Sequence, residues 1–333
     1  MKRNIMILLL AVLMIGAIVM GAYPDKPITL VVPWSAGGVT DRVARVLAPI
    51  MEQEIGESIT VFNQSGASGA IGTDYVLKKP ADGYTILFSA ETPGIFQVMG
   101  ISTASFADFD PIVMISQDTK VVVVPKNSPY DTFEELVEAI KENPGKIKLS
   151  YSGPGASGHI QGLLFNQIGL EVNAIPFGGG APAMTATIGG QVDFTFGNVG
   201  TTLQYILNGD LKALAVFSPK PVEILPEVPS MVDTLPELEP YLLLRFPNCL
   251  LVKKGTSDEV KETILEAALA AMETDTWKNF CESNNYETLS YLQGEAVAEY
   301  WADWTSLSAW LLDDAGATQK SPAEFGIKRL GEE

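Results

Sequence analysis

The segment ITLVVPWSAGGVTDRVARVLAPI, residues 28–50, predicts a strand followed directly by a helix. Its first five residues are apolar and mostly β-branched, which is typical of a buried strand. From Val43 to Ile50 the apolar residues recur at the i, i+3, i+4, i+7 spacing of one buried helix face. Gly37 and Gly38 therefore stand at a helix N-terminus, where unpaired N–H groups and the positive end of the helix dipole favour an anion.

Thr40 and Asp41 follow these glycines at the start of the predicted helix. Both side chains are good helix caps, and both are able to hydrogen-bond a ligand instead. The sequence alone leaves the two roles open.

Three further glycine-rich segments follow predicted strands: NQSGASGAIG (63–72), YSGPGASGHI (151–160) and PFGGGAP (176–182). Glycine permits left-handed torsions and lets a ligand approach the backbone without an intervening Cβ. Each loop alone is weak evidence, because glycine-rich turns between strands and helices are common in α/β proteins. Their combination predicts a site for an anionic ligand.

Apolar runs alternate with helical patterns, which predicts an α/β fold whose parallel strands are linked by helical crossovers. The predicted strands lie at 28–32, 59–62, 84–88, 120–124, 146–150, 172–177, 192–196, 211–217 and 241–252. Thr132 and Glu135 predict a capping box at a helix start. A helix at about 295–314 carries aromatic residues that we expect to face the core.

Residues 1–22 have the three parts of a secretory signal peptide. Two basic residues precede an apolar run from Ile5 to Val19, which ends in small residues at Gly21 and Ala22. An uncleaved anchor helix is the alternative, because the run approaches the roughly 20 residues that span a bilayer. No cysteine follows at the cleavage region, so a lipid anchor is not expected there, and in either case the rest of the chain is exported.

The composition is that of a globular protein with an acidic surface: 47% of residues are hydrophobic, 19% are charged and the net charge is −18. Removal of residues 1–22 takes away two basic residues and no acid, which brings the net charge to −20. This charge argues against nucleic acid as a partner and requires that local groups hold any anionic ligand. Cys249 and Cys281 are predicted to be separate buried thiols, with a disulfide as the alternative.

Nucleotide-binding and catalytic motifs are missing from the four glycine loops. They contain no GxxxxGK[ST] pattern, no convincing GxGxxG followed by a distant acid, and no GxSxG nucleophile elbow. His159 is the only histidine, so a triad or a zinc site would have to be built around it alone. We expect a structural role for it at a helix start, with a ligand contact as the alternative. The sequence thus predicts no metal, no cofactor and no catalytic residue.

Four segments together resemble, in order and spacing, the substrate-binding receptors of tripartite tricarboxylate transporters, also called Bug-type receptors. They are YPDKPITLVVPWSAGGVTD, NQSGASGAIGTDYVLKKPADGYTILF, NPGKIKLSYSGPGASGHI and IPFGGGAPAMTATIGGQVDFTF. The resemblance covers nearly the whole chain after residue 22. It implies a periplasmic receptor, expected to be monomeric, that delivers a small organic acid to the large and small membrane subunits of a transporter.

The resemblance also implies a two-lobed α/β fold of the periplasmic-binding-protein type (Venus flytrap, type II-like). Each lobe is expected to be a mixed, mostly parallel sheet flanked by helices. Lobe I would hold residues 23–120 and 250–333, and lobe II residues 121–249, with the ligand in the cleft between them. The first glycine loop would hold the ligand from lobe I, and residues 151–158 would hold it from lobe II.

The expected ligand-binding residues come from the glycine loops and from neighbouring strand ends. They are Trp34, Ser35, Ala36, Gly37, Gly38, Thr40, Asp41, Ser68, Ser89, Glu91, Thr92, Gly155, Ala156, Ser157, Gly158, His159, Phe177, Gly178 and Asn198. Phe177 and residues 89–92 are expected to line the distal part of the cleft, where Glu91 would oppose a second carboxylate. Arg42 is expected on a solvated helix face, with a position reaching into the cleft as the alternative.

The sequence departs from the family pattern in two places. Ser35 and Ala36 stand where members commonly carry two prolines, which adds a hydroxyl and loosens the turn. Gly197 and Asn198 stand where members often carry an aspartate that would contact a ligand ammonium group. We therefore expect a carboxylate without an amino group. A ligand sensor for a membrane signalling protein is the alternative function, and an enzyme is not expected.

Overall fold

The computed structural model describes residues 23–332, so the predicted signal peptide, residues 1–22, lies outside the described residues. Among the helices of residues 23–332, none has both the length and the apolar character needed to cross a bilayer.

Strands and helices alternate along most of the described chain. The strands are β1 (Ile28–Val32), β2 (Ile59–Asn63), β3 (Thr85–Ser89), β4 (Phe109–Asp118), β5 (Lys120–Pro125), β6 (Lys148–Tyr151), β7 (Asn173–Pro176), β8 (Phe194–Asn198), β9 (Leu211–Phe217), β10 (Phe246–Lys253) and β11 (Tyr286–Thr288). The α-helices are α1 (Val39–Ile55), α2 (Ala70–Leu77), α3 (Phe133–Glu142), α4 (Ser157–Gln167), α5 (Gly180–Ile188), α6 (Val199–Leu207), α7 (Met231–Thr234), α8 (Asp258–Glu273), α9 (Asp275–Asn284) and α10 (Glu295–Asp314).

The strands form two mixed sheets. A six-stranded sheet has the order β11-β4-β10-β3-β1-β2, and a five-stranded sheet has the order β7-β6-β8-β5-β9. The chain passes from the first sheet to the second at Thr119, between β4 and β5, and returns between β9 and β10. On this partition of the strands we propose the division into lobes I and II that the resemblance implies.

The two mixed sheets with flanking helices confirm the expected fold class, but the share of parallel strands needs a correction. Strand β1 is parallel to β2 and β3, and β6 is parallel to β7 and β8. Strands β5 and β10 are each antiparallel to both neighbours, and β11 is antiparallel to β4. Among the described strands, five of nine pairings are therefore antiparallel. The reason is that β5 and β10 enter their sheets from the other sheet and not through a helical crossover.

Local signals in the sequence are reproduced at several helix ends. The Thr132 hydroxyl accepts a hydrogen bond from the Glu135 N–H, and the Glu135 carboxylate accepts one from the Thr132 N–H, so the predicted capping box forms. The predicted helix at 295–314 is α10, which contacts both β4 and α4. Its Trp301 and Trp304 are buried in a cluster that includes side chains from both sheets. Helix α10 therefore links the cores of the two sheets.

Three features differ from, or add to, the predicted elements. Strands β4 and β11 were not predicted, and β10 begins at Phe246 because a short 3-10 helix, Pro236–Tyr241, precedes it.

The two cysteines, Cys249 and Cys281, are buried free thiols, as predicted.

Candidate ligand-binding site

A cavity of about 190 Å³ lies between the two sheets, where four α-helices begin. The helices are α1, α4, α5 and α6, whose first turns contribute lining residues. The predicted site residues at this cavity are Trp34, Ser35, Ala36, Gly37, Gly38, Thr40, Glu91, Ala156, Ser157, Gly158 and Asn198. The loops after β1, β6, β7 and β8 thus meet at one place. Each of these loops leads into a helix whose N-terminus lies at the same cleft.

The start of α1 is open to the cavity. Gly38, Val39 and Thr40 line it, and their backbone N–H groups make no hydrogen bond within the described residues. Gly38 is the N-cap residue and no side chain caps the helix. Three N–H donors at the positive end of a 17-residue helix are therefore available to an anion.

Asp41 holds this loop from beneath and does not line the cavity. One carboxylate oxygen accepts a 2.9 Å hydrogen bond from the Gly37 N–H, and the other accepts bonds from Arg45 Nε and Asn63 Nδ2 at 2.9 Å each. Burial alone would raise the pKa of Asp41, but these hydrogen bonds outweigh burial and hold the pKa below its usual range. Of the two roles left open by the sequence, the structure places Asp41 in support of the loop.

At the N-terminus of α4, a backbone N–H group already binds a carboxylate of the protein itself. Ser157 N–H donates a 2.9 Å hydrogen bond to Oε1 of Glu91, which comes from the loop after β3. Glu91 is fully buried, and its Oε2 has no hydrogen-bond partner among the described residues. Burial raises the pKa of the Glu91 carboxyl, although Lys120 and the Ser157 N–H act in the opposite direction.

The start of α6 is occupied in the same way by a second acid. The Gly200 N–H points at both carboxylate oxygens of the buried Asp118, at 3.4 and 3.3 Å. Burial raises the pKa of Asp118 against the opposing effects of Gly200 and Lys120. Buried acids thus take up one N–H group at each of these two helix starts, whereas the Gly158 and Thr201 N–H groups, whose residues line the cavity, have no hydrogen-bond partner within the described chain.

The start of α5 is the second open one. Gly180 and Ala181 line the cavity, their N–H groups make no hydrogen bond within the described chain, and no side chain caps the helix. This loop, 178–181, lies across the cleft from the α1 start and belongs to the second sheet. Both glycine loops of the second sheet, 151–158 and 178–181, therefore present backbone N–H groups at the cavity, and in the first of them Glu91 takes the Ser157 N–H.

Three buried polar atoms at this cavity have no hydrogen-bond partner among the described residues. They are Trp34 Nε1, Glu91 Oε2 and Asn198 Oδ1. Buried polar atoms in native proteins are nearly always paired, so three unpaired ones in the wall of one cavity set this place apart from the ordinary protein interior.

Lys120 is a lining residue that the sequence did not single out. It is the first residue of β5, is 4% exposed, and stands opposite Asn198 in the antiparallel β5–β8 pair. Its Nζ lies 4.8 Å from the centroid of the Phe246 ring. Burial lowers the pKa of Lys120, while Glu91 and Asp118 act to raise it. A lysine at the end of a strand usually faces solvent, so the sequence does not indicate that Lys120 is buried. Its burial becomes apparent only from the packing of the two sheets.

Ser68, Phe177 and Gly178 lie at the mouth of the cleft and not at the inner cavity. They line an adjoining space of about 460 Å³, which also contacts Trp34 and Ser35. Ser68 Oγ donates a 2.7 Å hydrogen bond to the carbonyl of Pro154, which joins the two sides of the mouth.

The remaining predicted site residues lie behind the cavity wall. Ser89, Thr92 and Gly155 do not line either space, and the Ser89 hydroxyl donates to the carbonyl of Ala90. His159 Nδ1 accepts a 3.1 Å hydrogen bond from the Gly155 N–H, and its ring stacks on Tyr151 at 4.8 Å. Burial lowers the pKa of His159 to about 4. His159 therefore supports the α4 loop in its neutral form.

Two larger cavities, of about 760 and 1020 Å³, lie outside the cleft. The first lies against the C-terminal segment, residues 325–332, and the second lies beside residues 218–226. Among the described helices, none has any of its first three residues in the lining of either cavity. We therefore propose the smaller cavity as the ligand site, because helix starts and unpaired polar atoms coincide there.

Comparison with known proteins gives a family match over residues 43–306, to the family described as "Tripartite tricarboxylate transporter family receptor". The protein BugT of Bordetella pertussis is 33% identical over 216 residues, which are 63% of this chain and 66% of that relative. The chain thus spans just under two thirds of the length of this relative.

Two solved structures share the fold over most of the chain. The periplasmic binding protein BugD has a TM-score of 0.82 and 30% identity, covering 90% of this chain and 100% of that one. R. palustris Rpa4515, solved with adipate, has a TM-score of 0.80 and 25% identity, covering 88% of this chain and 98% of that one. These matches confirm the resemblance that four sequence segments predicted, and they confirm the periplasmic-binding-protein fold.

Proposed function

Because this chain belongs to the tripartite tricarboxylate transporter receptor family, we propose that it captures a small organic carboxylate and delivers it to the membrane subunits of a transporter of that type. Members of this family are solute-binding receptors, so the protein acts by binding a ligand and not by catalysis. The identity of the acid and its delivery to a large and a small membrane subunit are the proposed part.

The observation that carries the proposal is the pair of open helix starts, α1 and α5, on opposite sides of one cavity. Hydrogen bonds to a charged group contribute roughly 1.5 to 3 kcal/mol each. Four or five N–H donors around one carboxylate therefore approach the roughly 8 kcal/mol of a micromolar complex. This local capture also explains how a strongly acidic protein binds an anion.

The size of the cavity limits the ligand. A volume of about 190 Å³ corresponds to roughly six water molecules at about 30 Å³ each. The space is therefore suited to a small organic acid. The solved relative with bound adipate supports a ligand of this chemical class.

Receptors of this kind work outside the cytoplasm, as the match to a periplasmic binding protein indicates. We propose that residues 1–22 are the signal peptide that exports this chain and that the mature receptor is a monomer. N-terminal sequencing of the protein from the periplasmic fraction tests the first point, and its mass in solution tests the second.

Uptake measurements test the transport role. Cells that lack the gene should lose uptake of the acid that the purified protein binds, and the wild-type gene should restore it. A gene for a variant with Gly38 replaced by Val, which places a branched side chain in the anion-binding turn, should not restore it. Normal uptake in the deleted strain, together with loss of a transcriptional response to the same acid, would point to the sensor instead.

A further inference from the structure

Lys120 is unusual because it is a largely buried lysine whose ammonium group lies at the cavity without a direct ionic partner. Its side chain is 4% exposed and lines the cavity, and its Nζ makes no hydrogen bond or ion pair within the described residues. An unpaired buried charge is costly, so such groups normally have an anion beside them. The nearest contact of known geometry is the Phe246 ring, whose centroid is 4.8 Å away.

The two acids near Lys120 are each engaged by a helix start. Asp118 is directed at the Gly200 N–H, and Glu91 Oε1 accepts from the Ser157 N–H. Both acids attract the lysine at longer range, but neither forms an ion pair with it. Lys120 is therefore left to face the cavity without a partner among the described residues.

Glu91 complements Lys120 at this end of the cavity. Burial raises the pKa of Glu91, which lessens the repulsion between this carboxyl group and an anionic ligand. An anionic group beside Lys120 would accept a charge-assisted hydrogen bond from it. The open helix starts of α1 and α5 contribute to the same cavity, so the cavity has one place for an anion at the helix starts and a second at Lys120.

From this arrangement we infer that Lys120 determines specificity by forming a direct ion pair with a second acidic group of the ligand. The inference rests on the proposed function, since it assumes that the first acidic group is held at the helix starts. A short diacid makes both sets of contacts at once, whereas the matching monoacid leaves Lys120 unpaired. The site therefore selects short diacids over monoacids of the same length.

Calorimetric titration with matched straight-chain monoacids and diacids, such as butanoate and succinate and their homologues of up to six carbons, tests this inference. The wild-type protein should bind its best diacid at least tenfold more tightly than the matching monoacid. Lys120→Met should lower the affinity for the diacid by tenfold or more and change the affinity for the monoacid by less than threefold. Lys148→Met removes an exposed lysine from β6 in the same sheet and should change neither affinity.

The outcomes separate the inference from the proposed function. If the wild-type protein binds no carboxylate, both are wrong. If it binds acids but Lys120→Met weakens monoacid and diacid equally, or weakens neither, the role of Lys120 is wrong and the receptor function stands. Thermal unfolding establishes that the variant is folded, and Lys120→Gln, which keeps a polar group without the charge, takes its place if the Met variant is not.

Discussion

Arg42 of α1 joins elements on opposite sides of the cleft. Its Nη1 donates a 2.7 Å hydrogen bond to the carbonyl of Gly200 on α6, and its Nη2 donates a 2.7 Å bond to Oδ1 of Asn284 on α9. The expectation of a solvated helix face was wrong for this residue, because α6 approaches from the second sheet and covers it. Arg42 thus links α6 of the second sheet to α1 and α9 beside the cavity.

Replacing Arg42 should therefore weaken ligand binding without contact to the ligand. Arg42→Gln removes the charge that bonds both Gly200 and Asn284, and hydrogen bonds to charged groups contribute roughly 1.5 to 3 kcal/mol. If the lost hydrogen bonds stabilise mainly the ligand-bound arrangement, the ligand affinity drops by about tenfold or more. Calorimetry measures the ligand affinity. Small-angle scattering of the ligand-bound variant should give a larger radius of gyration than that of the ligand-bound wild type. Arg329→Gln, which breaks an exposed pair with Asp314, serves as the control and should leave both unchanged.

The two adjacent glycines of the first loop should respond differently to alanine. Gly37 has a φ of +86°, a region that is strained for residues with a Cβ, so Gly37→Ala should cost about 1–2 kcal/mol of stability. Gly38 has a φ of −75° and the nearest atom to an added Cβ is 3.6 Å away, so Gly38→Ala should be close to neutral. Urea unfolding measures both changes. Equal costs at the two positions would contradict this assignment of the loop conformation.

Asp41 should support the site through the loop it holds. Asp41→Ala removes the acceptors for Gly37 N–H, Arg45 and Asn63, and we expect a loss of about 1–3 kcal/mol in the free energy of unfolding. Ligand affinity should fall as well, because the N–H groups of Gly38 to Thr40 lose their fixed direction. An unchanged affinity in a destabilised variant would show that the loop keeps its conformation without Asp41.

His159 should make the protein less stable in acid. Its pKa is about 4 in the folded protein, against an ordinary value of 6.5, because burial disfavours the charged ring. The unfolded chain therefore binds the proton more readily, and this stabilisation is lost as the pH falls from 6.5 towards 4. At 1.36 kcal/mol per pKa unit, the loss amounts to about 3 kcal/mol.

His159→Asn isolates this contribution, since its side chain keeps an acceptor for the Gly155 N–H but does not titrate. As the pH is lowered from 7 to 4, the wild type should lose unfolding free energy relative to the variant. Parallel pH curves for the two proteins would show that His159 does not titrate in this range.

Local sequence patterns predicted most elements of this fold. The segment 28–50 became β1 and α1, and the predicted helix at 295–314 matches α10 at both ends. Strand direction was not predictable in this way, because residue periodicity identifies a strand but does not say which neighbour it pairs with. Strand β4 was missed because Asp110 and Pro111 interrupt its apolar pattern.

The site was predictable only where it depends on local backbone. The glycine pair at 37–38 indicated a helix start, and the structure places that start at a cavity. By contrast, the capping of α4 by Glu91 joins residues 66 positions apart, and the burial of Lys120 depends on the packing of two sheets. Such long-range contacts leave no signal in the spacing of nearby residues.

If the cavity between the two sheets binds a small carboxylate, as we propose, a thermal-shift screen of the purified protein will detect that binding. The panel consists of mono-, di- and tricarboxylates, aromatic acids, amino acids, and neutral and cationic solutes. At one hundred times its dissociation constant, the correct acid should stabilise the protein by about 2.7 kcal/mol through mass action. If no carboxylate shifts the melting temperature but a neutral or cationic solute does, the claim is wrong and the glycine loops serve only the fold.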